Sequence, residues 1–302
     1  MTSHPPLIGV IGAGAWGTAL ATVAARGDKQ AILWSRSPKM ASELNATRKH
    51  PRLAGSVLPA GIRATAEGRD LKACQMLILA SPAQALRGVM EECAPWLPPG
   101  NTPIIIAAKG IELGTGKFMT EVLSEVCPQA ETYVLSGPSF AADVMLEKPT
   151  AVTLAGRTLE AAAELAAILS LPVFRIYSSA DRLGVQIGGA VKNVLAIACG
   201  IGEGKSLGDS ARAALTTRGF SEMMRLGHAM GADPATLTGL SGLGDLILTC
   251  SSLQSRNFSF GVAVGRSDPA GARAAARGLT IEGEATAKAV MALARKRAMD
   301  LP

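Results

Sequence analysis

Lys192 is the residue of this chain whose setting is hardest to explain without chemistry. It lies in Gly188-Gly189-Ala190-Val191-Lys192-Asn193-Val194-Leu195-Ala196, inside a stretch that otherwise reads as an apolar helix. An ammonium among aliphatic side chains costs free energy unless it is paired or its pKa falls. A lysine with a depressed pKa is suited to proton transfer to a carbonyl oxygen near neutral pH. Snorkelling of the stem to the surface is the competing explanation. Asn193 adds a second polar group to the same region.

A second ammonium, Lys109, follows the apolar run Ile104–Ala107 and precedes Gly110-Ile111-Glu112. Just past a strand it can point into a ligand crevice, although a cap or surface lysine would look the same. Leu135-Ser136-Gly137-Pro138-Ser139-Phe140-Ala141 also follows an apolar run. Gly and Pro set a rigid turn there, and Ser139 can donate to a phosphate or ribose at the next helix. A plain turn with an N-cap explains those letters equally. The last cluster is Gly242-Leu243-Gly244-Asp245-Leu246-Ile247-Leu248-Thr249-Cys250, followed by Ser255-Arg256-Asn257. Its glycines predict a tight turn with Asp245 at a helix N-terminus, where capping alone would explain the acid. Ser255, Arg256 and Asn257 offer one charged fork and two neutral donors, a set suited to a phosphate dianion. A solvated loop is the alternative. The histidines make a weaker case: His4 is near the end, His50 sits in a Pro/Arg-rich loop, and His228 falls on a Met-bearing helix.

Gly12-Ala13-Gly14-Ala15-Trp16-Gly17 comes straight after the apolar run Leu7–Ile11 and leads into Thr18-Ala19-Leu20-Ala21. Strand, glycine turn and helix form the context in which G-x-G-x-x-G signals a dinucleotide. Gly12 permits the turn, Gly14 lets a pyrophosphate approach the backbone, and Gly17 lets helix and strand pack closely. The free N–H groups at the helix start then face the anion. A bare glycine turn is the alternative. After the second strand the chain reads Trp34-Ser35-Arg36-Ser37, with no acid to hold ribose hydroxyls. Arg36 there favours NADP(H) by pairing with a 2′-phosphate, while Ser35 leaves NAD(H) open.

Bulk composition narrows the classes further. The net charge of +6 is scattered, and aromatic residues are only 4% of 302, so no basic face with stacking residues points to nucleic acid. The five cysteines are odd in number and widely spaced, and none forms a C-x-x-C pair, so neither a disulfide frame nor a zinc site is indicated. No metal-ligand cluster is seen. Cys250 reads as a small buried hydrophobe. The first residues lack a signal-peptide pattern, and no apolar run approaches ~18 residues, so no membrane span is expected. Together these features predict a cytoplasmic chain.

The elements that must position these groups change character along the chain. Candidate strands are Leu7–Ile11, Ala31–Trp34, Ile62–Thr65, Met76–Ala80, Ile104–Ala107, Tyr133–Leu135, Ala151–Leu154 and Val173–Ile176. Segments of helical composition such as Ala83–Pro95 and Leu159–Leu169 lie between them. This alternation predicts a doubly wound, mostly parallel sheet of the Rossmann type. After about residue 179 the strand signal ends, and helices are expected over Val185–Ile201, Ala211–Met230 and Ala285–Arg297. The expected division is a nucleotide-binding α/β domain over 1–178 and an all-helical substrate domain over 179–302.

Taken in this order, the segments Gly12–Gly17, Lys109–Glu112, Leu135–Ala141, Gly188–Ala198, Gly208–Gly219 with Arg212 and Arg218, Leu243–Cys250, Ser255–Asn257 and Ile281–Gly283 resemble the bacterial NAD(P)-dependent sn-glycerol-3-phosphate dehydrogenase family over nearly the whole chain. The resemblance implies a C-terminal domain like that of 6-phosphogluconate dehydrogenase. It also implies reversible reduction of dihydroxyacetone phosphate to sn-glycerol 3-phosphate for phospholipid synthesis, and a homodimer as the expected assembly. Lys192 would then be the proton donor and Lys109 would polarise the carbonyl. Asp245 and Thr249 would orient Lys192 and the substrate hydroxyls. Ser255, Arg256 and Asn257 would hold the phosphate, with Gly137 and Ser139 closing the pocket and Asn193 beside it. Trp16, Arg36, Lys109, Ala141, Arg256 and Glu282 would contact the cofactor. Two departures stand out: Ala15 replaces a common Ser, and the chain stops at Leu301-Pro302, where a last helix is expected in relatives. A β-hydroxyacid dehydrogenase or ketopantoate reductase would share the layout, and a silent NADP-binding sensor is the non-enzymatic alternative.

Overall fold

The computed structural model describes residues 6–27, 29–267, 272 and 281–301. The eight apolar runs form β1 (Leu7–Ile11), β2 (Gln30–Trp34), β3 (Ile62–Thr65), β4 (Met76–Leu79), β5 (Pro103–Ile106), β6 (Glu131–Ser136), β7 (Thr150–Ala155) and β8 (Phe174–Ser179). They make one sheet in the order β3-β2-β1-β4-β5-β6-β7-β8, parallel except where β6 meets β7. Between them run α1 (Ala15–Ala24), α2 (Pro38–Thr47), α3 (Leu86–Cys93), α4 (Met119–Val126), α5 (Ala141–Met145) and α6 (Leu159–Leu169).

The central strands β1, β4 and β5 are apolar on both faces because both faces are covered, whereas the outer strands β3 and β8 expose Arg63 and Arg175. Ile8 and Val10 join one core cluster with Leu20, Leu44 and Leu165, whereas Ile11 joins the other with Leu86, Met90 and Leu123. Met76 and Ile78 likewise face the first cluster while Leu77 and Leu79 face the second. This alternation with period two pins the register. It sets Ile11 opposite Trp34 and Leu79, so these strands end level along one edge. The chain order reverses between β1 and β4, and a crevice at that edge is where open α/β sheets bind ligands.

Beyond β8 the described residues form only helices: α7 (Arg182–Gly204), α8 (Asp209–Met230), α9 (Pro234–Thr238), α10 (Asp245–Cys250), α11 (Arg256–Gly265) and α12 (Glu282–Lys296). Asp181 opens α7 by accepting the Gly184 N–H at 2.7 Å. Among the described residues α7 is the one helix long and apolar enough to cross a membrane, but 72% of its apolar window is buried in protein. It is the post around which α8, α10, α11 and α12 gather. Its contact with α11 is backbone against backbone: a Cβ on Gly200 would stand 2.1 Å from Phe258 O, and one on Gly261 2.2 Å from Ile197 O. That close approach brings the start of α11, with Arg256 and Asn257, toward the Lys192 turn. Met223 and Leu226 of α8 are buried, with Phe220 and Met224 packed beside them, so this face of the helix is core.

Candidate active site

Lys109, just after β5, and Lys192, midway along α7, meet at one carboxylate. Asp245 Oδ2 accepts from Lys109 Nζ at 2.7 Å, and Oδ1 accepts from Lys192 Nζ at 2.6 Å. Lys192 also donates to Thr249 Oγ1 at 3.0 Å, and Lys109 to the Gly137 carbonyl at 3.2 Å. Asp245 is fully buried and Lys192 is 7% exposed, so the ammonium of Lys192 does not snorkel to water. Two cations and one anion leave a fixed positive charge in a largely dry place, where it acts strongly on a developing oxyanion.

The titration of these groups follows from their surroundings. Burial pushes the Lys192 pKa down, Asp245 pulls it back up and Lys109 lowers it again, which leaves it at about 8. Burial alone would push the Asp245 carboxyl up, but the two ammonium groups outweigh it and hold the pKa below the ordinary carboxylate value. Lys192 is thus charged at neutral pH yet able to release its proton.

The turn before Asp245 differs from the expected tight turn. Leu240–Gly244 forms a wide π-helical turn, closed by the Gly244 N–H to Gly239 O at 3.0 Å, that runs directly into α10. Gly242 serves packing, because a Cβ there would stand 1.9 Å from Leu237 O. Asp245 does not cap the helix; both of its oxygens are taken by lysine ammonium groups.

Around this centre the other predicted residues divide by what they touch. Asn193 donates to the Gly189 carbonyl at 3.3 Å and accepts from Asn257 Nδ2 at 2.9 Å. Asn257 Oδ1 in turn accepts the Gly283 N–H at 3.0 Å, so this amide ties α7, α11 and α12 together. Ser255 is the N-cap of α11, its hydroxyl accepting the Phe258 N–H at 3.2 Å. Ser139 donates to the Gly137 carbonyl at 3.0 Å. Arg256 has open surface, yet the surrounding protein lowers its pKa by desolvation; Glu282 opposes this and Arg52 reinforces it. Glu282 accepts the Ala83 N–H at 3.2 Å, and burial raises its pKa.

At the glycine turn, Gly12 adopts φ +114°, and a Cβ on Gly17 would stand 1.9 Å from Gly12 O. Gly14 is the N-cap of α1 without a side-chain cap, Ala15 is its first residue, and the first turn carries no acid. The helix start therefore presents free N–H groups to an anion. Trp16 packs against the core with Ala141 of α5. Arg36 lies on the surface and is bonded to Glu92 at 3.0 Å, rather than standing free after β2.

The family model for the NAD-dependent glycerol-3-phosphate dehydrogenase N-terminus matches residues 7–162, and that for its C-terminus matches residues 181–302. The chain belongs to the NAD-dependent glycerol-3-phosphate dehydrogenase family. A glycerol-3-phosphate dehydrogenase [NAD(P)+] from Azorhizobium caulinodans is 53% identical to it, over 98% of this chain and 89% of the relative. One from Bradyrhizobium diazoefficiens is 52% identical over the same shares. The crystal structure of the Coxiella burnetii glycerol-3-phosphate dehydrogenase superposes with a TM-score of 0.93 at 38% identity, covering 99% of this chain and 92% of that one.

The family's nicotinamide dinucleotide fits the residues present. Trp16 Nε1, Ser81 Oγ, Glu282 Oε2 and Thr286 Oγ1 are buried without a hydrogen-bond partner among the described residues. Glu282 Oε2 and Thr286 Oγ1 both flank Gly110, next to Lys109. Buried polar atoms left open in this way call for a polar ligand. Two of these residues, Ser81 and Thr286, and two others are not legible in the sequence. Ser81 follows β4 at the reversal of strand order, and Thr286 hides on an amphipathic helix. His50, placed by sequence in a plain loop, is buried with Nε2 3.3 Å from Ala13 O, and Arg52 reaches toward Gly14. The signal for these last two was the basic run Arg48-Lys49-His50-Pro51-Arg52. Asn257 was expected as a phosphate ligand, and its fastening bonds were not foreseen.

Proposed function

We propose that this chain catalyses the NAD(P)H-dependent, reversible reduction of dihydroxyacetone phosphate to sn-glycerol 3-phosphate. The observation that carries the reading is the Lys109–Asp245–Lys192 chain of charge, set at the carboxyl edge of the sheet in a member of this family. A nicotinamide held there would supply the hydride in reduction and take it in oxidation. Lys192 gives a proton to the carbonyl oxygen that becomes the secondary hydroxyl, and takes it back in the reverse direction. Lys109 stabilises charge on that oxygen, while Asp245 and Thr249 hold Lys192 in place. Arg256 binds the substrate phosphate at the start of α11, with Ser255, Asn257, Gly137 and Ser139 shaping the pocket. Gly12, Gly14, Ala15, Trp16, Gly17, Arg36, Ala141 and Glu282 hold the dinucleotide, and Asn193 backs the site.

In this reading residues 1–178 bind the dinucleotide and 179–302 complete the substrate site, in the cytoplasm and as a homodimer, with the product feeding phospholipid synthesis. Identity near 50% to glycerol-3-phosphate dehydrogenases weighs against the ketopantoate and β-hydroxyacid alternatives. A silent sensor has no use for a lysine buried in an apolar helix. Oxidation of NADPH and NADH, followed by absorbance, tests the reading with dihydroxyacetone phosphate and with ketopantoate. Turnover of the phosphorylated ketone is expected; turnover of ketopantoate alone, or none with either, would overturn it.

A further inference from the structure

Arg52 holds its guanidinium over the glycine turn that joins β1 to α1. Its Nη2 lies 3.9 Å from where a Cβ on Gly14 would stand, and no other described atom beyond the chain neighbours comes within 4 Å of that point. Around that point, beside the uncapped start of α1, the space is thus open apart from this one cation. Arg36 is bonded to Glu92, whereas Arg52 makes no ion pair among the described residues. Its charge is felt on one side by His50 and on the other by Arg256.

The loop that carries Arg52 is fastened at both ends. His50 is 2% exposed, and its Nδ1 accepts the Arg52 backbone N–H at 3.1 Å. Accepting at Nδ1 leaves the ring proton on Nε2, which donates to the Ala13 carbonyl at 3.3 Å. One neutral tautomer therefore links the loop to the turn itself, and burial together with the Arg52 charge keeps the ring below its ordinary pKa. Farther along, the Arg48 guanidinium donates to the carbonyls of Leu58, Pro59 and Ile62. Such anchoring lowers the entropy cost of holding a long cationic side chain over a ligand.

Resting on the dehydrogenase reading above, we infer that Arg52 binds the pyrophosphate of the nicotinamide dinucleotide, and that His50 is the peg that seats the Arg52 loop on the glycine turn. The pyrophosphate is the part of the cofactor that meets the start of this helix. It is common to NADH and NADPH, so Arg52 supports both cofactors equally. Discrimination between the two is left to residues after β2.

Titrating the purified full chain with NADPH and, separately, NADH, by calorimetry without substrate, tests this. Arg52→Ala is expected to raise both dissociation constants by the same factor, about tenfold or more for a charge-assisted bond. Arg52→Lys should keep part of the affinity, and the melting temperature of the cofactor-free protein should not move. His50→Ala should lose part of the same affinity for both cofactors. Unchanged dissociation constants in Arg52→Ala overturn the proposal, and so does a loss confined to NADPH. An unchanged constant in His50→Ala overturns the role of the peg. If the wild-type chain bound neither dinucleotide, the dehydrogenase reading itself would fall, and this inference with it.

Discussion

Lys192 and Asp245 form a buried ion pair 2.6 Å long, and the carboxylate has no exposed surface. Neither partner could be buried alone at such a depth without a large desolvation cost. The pair joins α7 to α10, and Lys109 adds the end of β5, so one carboxylate holds together the sheet edge and the helical region. Burial draws the lysine toward neutrality while Asp245 draws it toward charge. The balance suits a group that must both hold and release a proton.

Replacing Lys192 by Ala should lower kcat by about 10²–10⁴-fold, the usual worth of a positioned acid. Asp245 keeps Lys109 as a partner, so the fold should survive. NADPH binding should be nearly unchanged, because Lys192 does not touch the glycine turn. Steady-state kinetics with a parallel cofactor titration separates the two effects, and wild-type kcat in the variant would remove Lys192 from the chemistry.

The pH dependence follows from the same pair. Ketone reduction needs the charged form of Lys192, so its rate should fall as pH rises through about 8, while alcohol oxidation should rise over the same window. Asp245→Asn removes the charge that raises the Lys192 pKa and leaves burial and Lys109, which both lower it. The descending limb for reduction should therefore move to lower pH. Profiles measured in both directions check this, and a limb that stayed in place would assign the ionisation to another group.

The sheet is legible in sequence because its central strands are continuous apolar runs, and its mostly parallel order follows from their alternation with helices. Lys192 was legible for a related reason: a charge inside an apolar helix contradicts its surroundings. Residues whose roles depend on distant partners were not legible. Nothing near Asn257 in sequence announces that it bridges Asn193 and Gly283. The Asp245 turn is not legible because Gly242 serves close packing against Leu237 rather than a reversal of the chain. The basic run around His50 signals an anion, but the burial that makes His50 a fastener depends on its contact with Ala13 and is not legible in the string.

Arg256 has open surface at the start of α11, and it is the cation proposed for the substrate phosphate. Arg256→Ala should raise KM for dihydroxyacetone phosphate by the worth of a charged hydrogen bond, about 1.5–3 kcal/mol, with a smaller effect on kcat. The unphosphorylated ketone dihydroxyacetone should be turned over about equally by variant and wild type. An equal loss on both substrates would place Arg256 elsewhere in the mechanism.

Cofactor choice turns on an exposed pair. Arg36 is 62% exposed at its side chain and lies 3.0 Å from Glu92, which would compete with a 2′-phosphate for the guanidinium. Arg36→Ala should weaken NADPH and leave NADH unchanged, and Glu92→Ala should tighten NADPH by freeing the fork. Exposed pairs are weak, so the gain from Glu92→Ala should be within about 1 kcal/mol. Dissociation constants for both cofactors in both variants decide the matter; parallel changes in NADH would count against a 2′-phosphate contact.

Asn257 separates a fastener from a ligand. Its amide donates to Asn193 Oδ1 and accepts from Gly283 N, and the residue is 8% exposed. Asn257→Ala leaves both groups buried without partners, which costs about 1–3 kcal/mol for each. Asn257→Asp restores an acceptor for Gly283 but sets a carboxylate against Asn193 Oδ1, so it should be little better. Denaturant unfolding should show a clear loss in both variants, and the loosened start of α12 should weaken the hold of Glu282 on the cofactor site. A variant of undiminished stability with a raised KM for the phosphorylated ketone would instead make Asn257 a direct phosphate ligand.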